Sequence, residues 1–185
     1  MTDQEALERL LLERSVRRGE FVLASGERSN YYVDCRLTTM SAQGMVQVGM
    51  QALAAIRRMN WTADAVGGLT MGADPVAYAI AAASYGSSLQ LDAFSVRKEA
   101  KEHGTKRRIE GNFRAGARVI VVEDVITSGG SALQAISAVE GEGGEVVGIL
   151  AVVDREQGGR IRIEASGHQV VCLTTSTRLG LVPSV

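Results

Sequence analysis

The sequence predicts an α/β fold, a mostly parallel central sheet flanked by helices, with ligand chemistry gathered along one rim. Three observations carry this. Extended and helical stretches alternate along nearly the whole chain. Two extended stretches, "RVIVVED" and "EVVGILAVVD", are apolar at consecutive positions, as strands covered on both faces are. Polar or glycine-rich residues then follow directly at three strand ends: residues 67–74, 123–131 and the pair Asp154-Arg155. In such sheets ligands collect at the carboxyl ends of the strands, so three strand ends of this kind predict one cleft.

Taken in chain order, residues 5–18 place Leu7, Leu10 and Leu11 at helical spacing, and Gly19 reads as the stop. "FVLAS" and "NYYVD" are short extended pieces around the turn "GERS". Ser41 reads as the N-cap of a helix with Met45, Val48, Ala52, Ala55 and Ile56 on one face. Residues 65–67 form a brief strand, and Pro75 sits where a first helical turn tolerates it, opening "VAYAIAAASYG". "SLQLDAFSV" is the next strand, and "RVIVVED" follows a long polar interval. A helix from Ser131 to about Glu140 ends in Gly141, Gly143 and Gly144. "EVVGILAVVD" and "HQVVCLTT" supply the last two strands.

A chain of 185 residues reads as a single domain, residues 1–185, long enough to bury a real core. Hydrophobic residues at 45% and charged residues at 22% are ordinary globular values. A net charge of −1 provides no global field for nucleic acid or an anionic membrane, so any anion site must be local. No apolar run approaches the ~18 residues of a membrane span. The acidic, helix-patterned N-terminus is not a signal peptide. Cys35 and Cys172 lack metal-ligand spacing, and nothing argues for secretion, so a cytoplasmic location is expected.

The most informative stretch is "VIVVEDVITSGGSALQAI", residues 119–136. A strand-to-helix turn of Thr127, Ser128, Gly129, Gly130 and Ser131 is built to hold a phosphate. Glycines let the backbone approach and turn N–H groups inward, hydroxyls donate further bonds, and the helix N-terminus adds a positive dipole end. The spacing is neither that of a nucleotide P-loop nor G-x-G-x-x-G. Glu123 and Asp124 immediately before such a cup need a reason, because like charges repel. A phosphosugar supplies one: its vicinal hydroxyls donate to the carboxylates while its 5-phosphate fills the cup. On a regular strand the two acids point to opposite faces, so one ligand meets both only if the strand curls. A plain polar turn with a Ser N-cap accounts for Ser131 and one glycine, and leaves two buried-strand acids unexplained.

A second unusual stretch is "RKEAKEHGTKRRIEG", residues 97–111, holding Arg97, Lys98, Lys101, His103, Lys106, Arg107 and Arg108. It reads either as a solvated helix with i,i+4 ion pairs or as a cationic flap that closes over a polyphosphate and excludes water.

"VIVVEDVITSGG" resembles the phosphoribosyl pyrophosphate motif of the type I phosphoribosyltransferases. "SVRKEAKEHGTKRRIEG" is similar to the catalytic loop of the orotate phosphoribosyltransferases, with its R-K-x-x-K-x-H-G core. "FVLASGERSNYYVDCR" resembles that family's N-terminal segment over the base, and "VVDREQGG" its Asp-Arg turn. The resemblance spans nearly the whole chain. It implies a hood built from about residues 1–40, a flexible loop at about 97–111, and transfer of a 5-phosphoribosyl group from phosphoribosyl pyrophosphate to orotate N1. The products are orotidine 5′-monophosphate and pyrophosphate, within pyrimidine biosynthesis.

By the same resemblance Arg97, Lys98, Lys101 and His103 meet the pyrophosphate, with Lys101, His103 and Asp124 as catalytic residues. Glu123 and Asp124 hold the ribose hydroxyls, and Val125, Ile126, Thr127, Ser128, Gly129, Gly130 and Ser131 the 5′-phosphate. Thr127 and Arg155 bind orotate, a planar bidentate guanidinium being suited to its carboxylate. Mg²⁺ is implied on pyrophosphate oxygens with sugar and water ligands and no direct protein ligand. A homodimer whose flap serves the neighbouring subunit is implied too. Two positions depart from some relatives, which carry lysine where this chain has Ala24 and Gly72. Transfer to a purine or uracil, and a regulator of the same fold that binds nucleic acid, are the competing readings. Arg155 and the flap string oppose the first, and the near-zero net charge opposes the second.

Overall fold

The computed structural model describes residues 2–22, 28–99 and 108–181. The chain opens with helix α1 (Asp3–Arg14), which starts earlier than its apolar spacing suggests because Thr2 and Glu5 form a capping box. It also ends earlier, at Ser15. The segment expected to continue it is instead strand β1 (Val16–Val22), paired antiparallel with β2 (Arg28–Val33). No apolar residue extends the helical stripe past Leu11, so pairing with β2 outweighs local helix preference. Gly19, expected as a helix stop, lies inside β1 at the irregularity between Arg18 and Phe21.

A short helix α2 (Arg36–Thr39) leads into α3 (Ala42–Arg58). As expected, Ser41 caps α3, its Oγ accepting from the Gly44 N–H at 3.1 Å. Strand β3 (Ala65–Leu69) and helix α4 (Ala73–Ser84) follow, with Pro75 in the first turn. Strand β4 is confined to Asp92–Val96, shorter than the strand expected over residues 88–96. Within the predicted loop lies a strand the sequence did not announce, β5 (Ile109–Gly111). Then come β6 (Arg118–Ile126), α5 (Gly130–Gly141), β7 (Glu145–Asp154), α6 (Gly159–Glu164) and β8 (Val170–Thr175).

The main sheet has six strands in the order β5-β4-β3-β6-β7-β8. All neighbours are parallel except β4 and β5. Alternation along β6 sends Ile120 and Val122 into one core with Val48, Ile56, Val76 and Ile80, while Val119 and Val121 enter the other with Ala135, Val139 and Ile163. Helices α3 and α4 thus cover one face, and α5 and α6 the other. Strand order reverses between β3 and β6, and an open parallel sheet places its ligand cleft at such a switch point.

Close packing leaves room only for glycine at several points. At Gly148 a Cβ would lie 2.3 Å from Cζ2 of the buried Trp61. Gly148→Ala is expected to cost about 2 kcal/mol of stability through overpacking. A thermal-unfolding scan should show a fall of roughly 4–8 °C. Activity at 25 °C should persist, because this contact lies at the amino-terminal part of β7, away from the cleft.

Candidate active site

At the switch point a cavity of about 1000 Å³ opens, lined by residues that follow β3, β4, β6 and β7 and by the hairpin β1–β2 with its continuation. A smaller cup of about 100 Å³ adjoins it. The cup is formed by Glu123 together with Val125, Ile126, Thr127, Ser128, Gly129, Gly130, Ser131 and Ala132. Gly129 adopts φ 76°, and a Cβ there would sit 2.8 Å from the Gly159 carbonyl. Only glycine therefore suits the turn that aims the α5 N-terminus into the cup. Gly159 packs from the other side, its N–H donating to the Thr127 carbonyl at 3.0 Å, so α6 braces the loop.

Glu123 and Asp124 stand inside β6 rather than at its end, since the strand runs on to Ile126 in unbroken register with β7. Both line the large cavity all the same, so it reaches round both faces of the strand tip. Glu123 is buried, at 5% exposure, and its Oε1 finds no hydrogen-bond partner among the described residues. Burial, followed by the neighbouring charge of Asp124, pushes its carboxyl up to about 8. Burial raises Asp124 too, opposed by the Val125 N–H, which donates to its Oδ1 at 2.9 Å, and by the Arg36 charge. Two carboxylates short of donors are arranged to accept from an incoming polyhydroxyl ligand.

Arg155 follows β7 on the other flank of the cavity. It does not pair with Asp154 or Glu156: the Asp154 carboxylate accepts the Glu156 N–H, and Glu156 accepts the Thr177 N–H. Its guanidinium lies 4.9 Å from the centroid of the Tyr31 ring, whose hydroxyl is 3.2 Å from Ser176 Oγ. The side chain is buried, yet Nε and Nη2, the two donors of one guanidinium edge, have no acceptor among the described residues. Such an edge is preformed for a planar carboxylate.

The predicted loop is divided. Lys98 lines the cavity, whereas Arg97 does not; its Nε pairs with Glu110 at 3.1 Å. The loop's root is closed by the Arg97 N–H donating to the Arg108 carbonyl and by the Arg108 guanidinium donating to the carbonyls of Arg97 and Lys98. Residues 109–111 are strand β5, so the expected loop ends earlier than position 111. Lys101 and His103 fall outside the described residues, as does Ala24.

Sequence reasoning passed over several cavity residues. Asp34 and Arg36 form a bidentate pair at the rim, Nε to Oδ1 at 2.8 Å and Nη2 to Oδ2 at 2.9 Å. That hydrogen-bonded pairing holds the Asp34 carboxyl below its usual range. Thr70 and Met71, within the 67–74 turn that the sequence placed on the cleft, and Gln157 also line the cavity, and the Thr70–Met71 peptide is cis. Nothing in the string "VDCR" distinguishes Asp34 and Arg36 from ordinary loop polarity. Gly72 has a local reason: a Cβ there would lie 2.5 Å from Asp124 Oδ1, so the carboxylate occupies the space a side chain would need.

The profile of the phosphoribosyl transferase domain matches residues 40–174. The orotate phosphoribosyltransferase of Aquifex aeolicus is 47% identical over 170 residues, 90% of this chain and 92% of that protein. The crystal structure of Mycobacterium tuberculosis orotate phosphoribosyltransferase in complex with Fe(III) dicitrate superposes with a TM-score of 0.86 at 43% identity, covering 97% of this chain and 100% of that one. Another structure of that enzyme, in complex with 5-phospho-α-D-ribosyl 1-diphosphate, superposes with a TM-score of 0.82 at 40% identity over 97% and 100% of the two chains.

Proposed function

Because this chain belongs to the phosphoribosyltransferase family, and within it to the orotate phosphoribosyltransferases, we propose a division of labour among its residues in that reaction. The chain transfers the 5-phosphoribosyl group of phosphoribosyl pyrophosphate to orotate N1, releasing pyrophosphate in pyrimidine biosynthesis. One observation carries the acceptor assignment: the buried, stacked guanidinium of Arg155 with an unclaimed donor edge on the cavity. A base lacking a carboxylate would leave that edge unsatisfied, at a cost in affinity. Thr127, on the same cavity wall as the cup, touches the base from the sugar side.

Glu123 and Asp124 accept from the ribose hydroxyls, and residues 125–131 hold the 5′-phosphate. This fixes the sugar while C1 acquires oxocarbenium character. Lys98, from the described part of the loop, meets the pyrophosphate, and Lys101, His103 and Arg97 complete the cationic set. Positive charge there offsets the charge growing on the leaving group. Mg²⁺ fits the site without a direct protein ligand: Glu123, whose Oε1 has no hydrogen-bond partner among the described residues, and Asp124 would meet it through sugar hydroxyls and water. When bound, the ion would supply positive charge toward the leaving group, beside that of Lys98.

A homodimer with a shared flap is part of this reading. Arg97 does not line its own chain's cavity while the adjacent Lys98 does, which supports a loop serving two sites. Leu37 on α2, Met40 just past its end, and Val46 and Met50 one turn apart on α3 stand exposed and would be covered by a second copy.

The deciding experiment mixes the protein with Mg²⁺, phosphoribosyl pyrophosphate and orotate and follows orotate's ultraviolet absorbance. Turnover that stops when orotate is replaced by uracil supports the reading. No loss of absorbance, or equal use of uracil, refutes it.

The buried Glu123 adds a pH signature. A carboxyl whose folded value of about 8 exceeds its unfolded 4.5 favours the folded state most at low pH. That contribution is lost as pH rises between the two values. Donor hydroxyls favour the charged form, so binding the sugar pyrophosphate near neutrality should release a proton from this group. Calorimetry in buffers of different ionisation enthalpy should detect the release, and Glu123→Gln should remove that component. An unchanged proton count in the variant would exclude Glu123 as its source.

A further inference from the structure

The geometry points to Arg36 as a pyrophosphate-binding residue, held in place by Asp34; this rests on the reaction assigned above. The argument starts from the two ends of a phosphoribose. Its 5-phosphate and its C1 leaving group lie at opposite ends of the ring, with the hydroxyls between. Arg36 lines the large cavity and is absent from the cup, so it belongs to the part of the site outside the 5-phosphate pocket.

Sheet order then separates the two groups that meet at C1. Arg155 follows β7, on one side of β6. Gly72 and Lys98 follow β3 and β4, on the other side. Arg36 belongs with the second set. Its charge acts on Asp124, whose Oδ1 abuts Gly72, and α2 packs against α4, the helix that starts beside Gly72. The acceptor base occupies the Arg155 flank, leaving the Arg36 flank to the departing diphosphate.

The donor inventory agrees. Arg36 spends its Nε–Nη2 edge on Asp34, which leaves three of its five N–H donors on the outer Nη1–Nη2 end. No bond is formed by its Nη1 among the described residues, so this outer end, its charge fixed in place by Asp34, is available to phosphoryl oxygens. Asp34 has a second task. Without its bidentate grip Arg36 could pair with Asp124 and block the carboxylate that the sugar needs. Asp34 is therefore a positioning residue.

Isothermal titration of Arg36→Gln with three probes tests this. Mg²⁺-pyrophosphate affinity should fall about tenfold or more, while ribose 5-phosphate and orotate stay within about twofold. Unchanged pyrophosphate affinity, or a loss falling on orotate or ribose 5-phosphate instead, overturns the assignment. Should the Gln variant not fold, Arg36→Lys replaces it, keeping the charge without the fork. It should lose pyrophosphate affinity to a smaller degree, and wild-type affinity would overturn the claim. Asp34→Asn should weaken ribose 5-phosphate as well as pyrophosphate; an effect on neither removes its positioning role. Wild-type turnover of orotate is scored separately: turnover with a silent Arg36 variant defeats this inference alone, whereas no turnover defeats the assigned reaction.

Discussion

Asp124→Ala should reduce kcat/KM for phosphoribosyl pyrophosphate by at least about a hundredfold, the size expected when charge-assisted hydrogen bonds to a substrate are removed. Several features concentrate the effect on this residue. Asp124 stands at the switch point, half-buried, with Gly72 pressed against its carboxylate and the Val125 N–H fixing Oδ1. Its partner Glu123 is held partly neutral by burial at physiological pH, so Asp124 is the readier anion toward a ribose hydroxyl. Folding should survive, because removing a desolvated carboxylate relieves the cost of burying it. Steady-state kinetics with both substrates varied, together with a thermal scan, reads this directly. Near-normal kcat/KM in a folded variant would mean that the sugar is held elsewhere.

Arg155→Lys should raise KM for orotate by about tenfold to a hundredfold while leaving KM for the sugar pyrophosphate within about twofold. Lysine keeps the charge but loses three things. It has no planar edge to offer two parallel bonds, no flat face for the Tyr31 ring, and a more strongly hydrated head that resists this burial. The test is the ratio of the two effects rather than either alone. Equal losses for both substrates would assign Arg155 a structural part in joining the hairpin to the sheet.

Much of this architecture is legible in the sequence because the signals are local or periodic. Residues 146–153 carry no polar side chain at any position, and with Glu145 and Asp154 at the ends they form β7 to the residue. Ser41 and Pro75 mark helix starts through capping and a missing N–H, which need no partner elsewhere. The cup reads directly because a phosphate loop is one continuous string. What escaped was set by pairing between distant segments. Strand β1 exists through its partner β2, and β5 through β4, so neither carries a strong pattern of its own. The Asp34–Arg36 pair escaped for the same reason: it matters only because the hairpin's continuation brings it to the cavity. Arg155 was visible as a strand-end arginine, but its stacking on Tyr31 was not.

The placement of the cleft astride β6 has a bearing on how such an enzyme can diversify. On the assignments proposed above, the activated pentose is recognised by the tip of β6 and by stretches after β2, β3, β4 and β6, whereas the incoming nucleophile is met by Arg155, which follows β7 and stacks on Tyr31. These are separable inserts on one chassis. Exchanging the second set could retarget the chemistry to a different heterocycle while the machinery that breaks the glycosidic bond to pyrophosphate stays as it is.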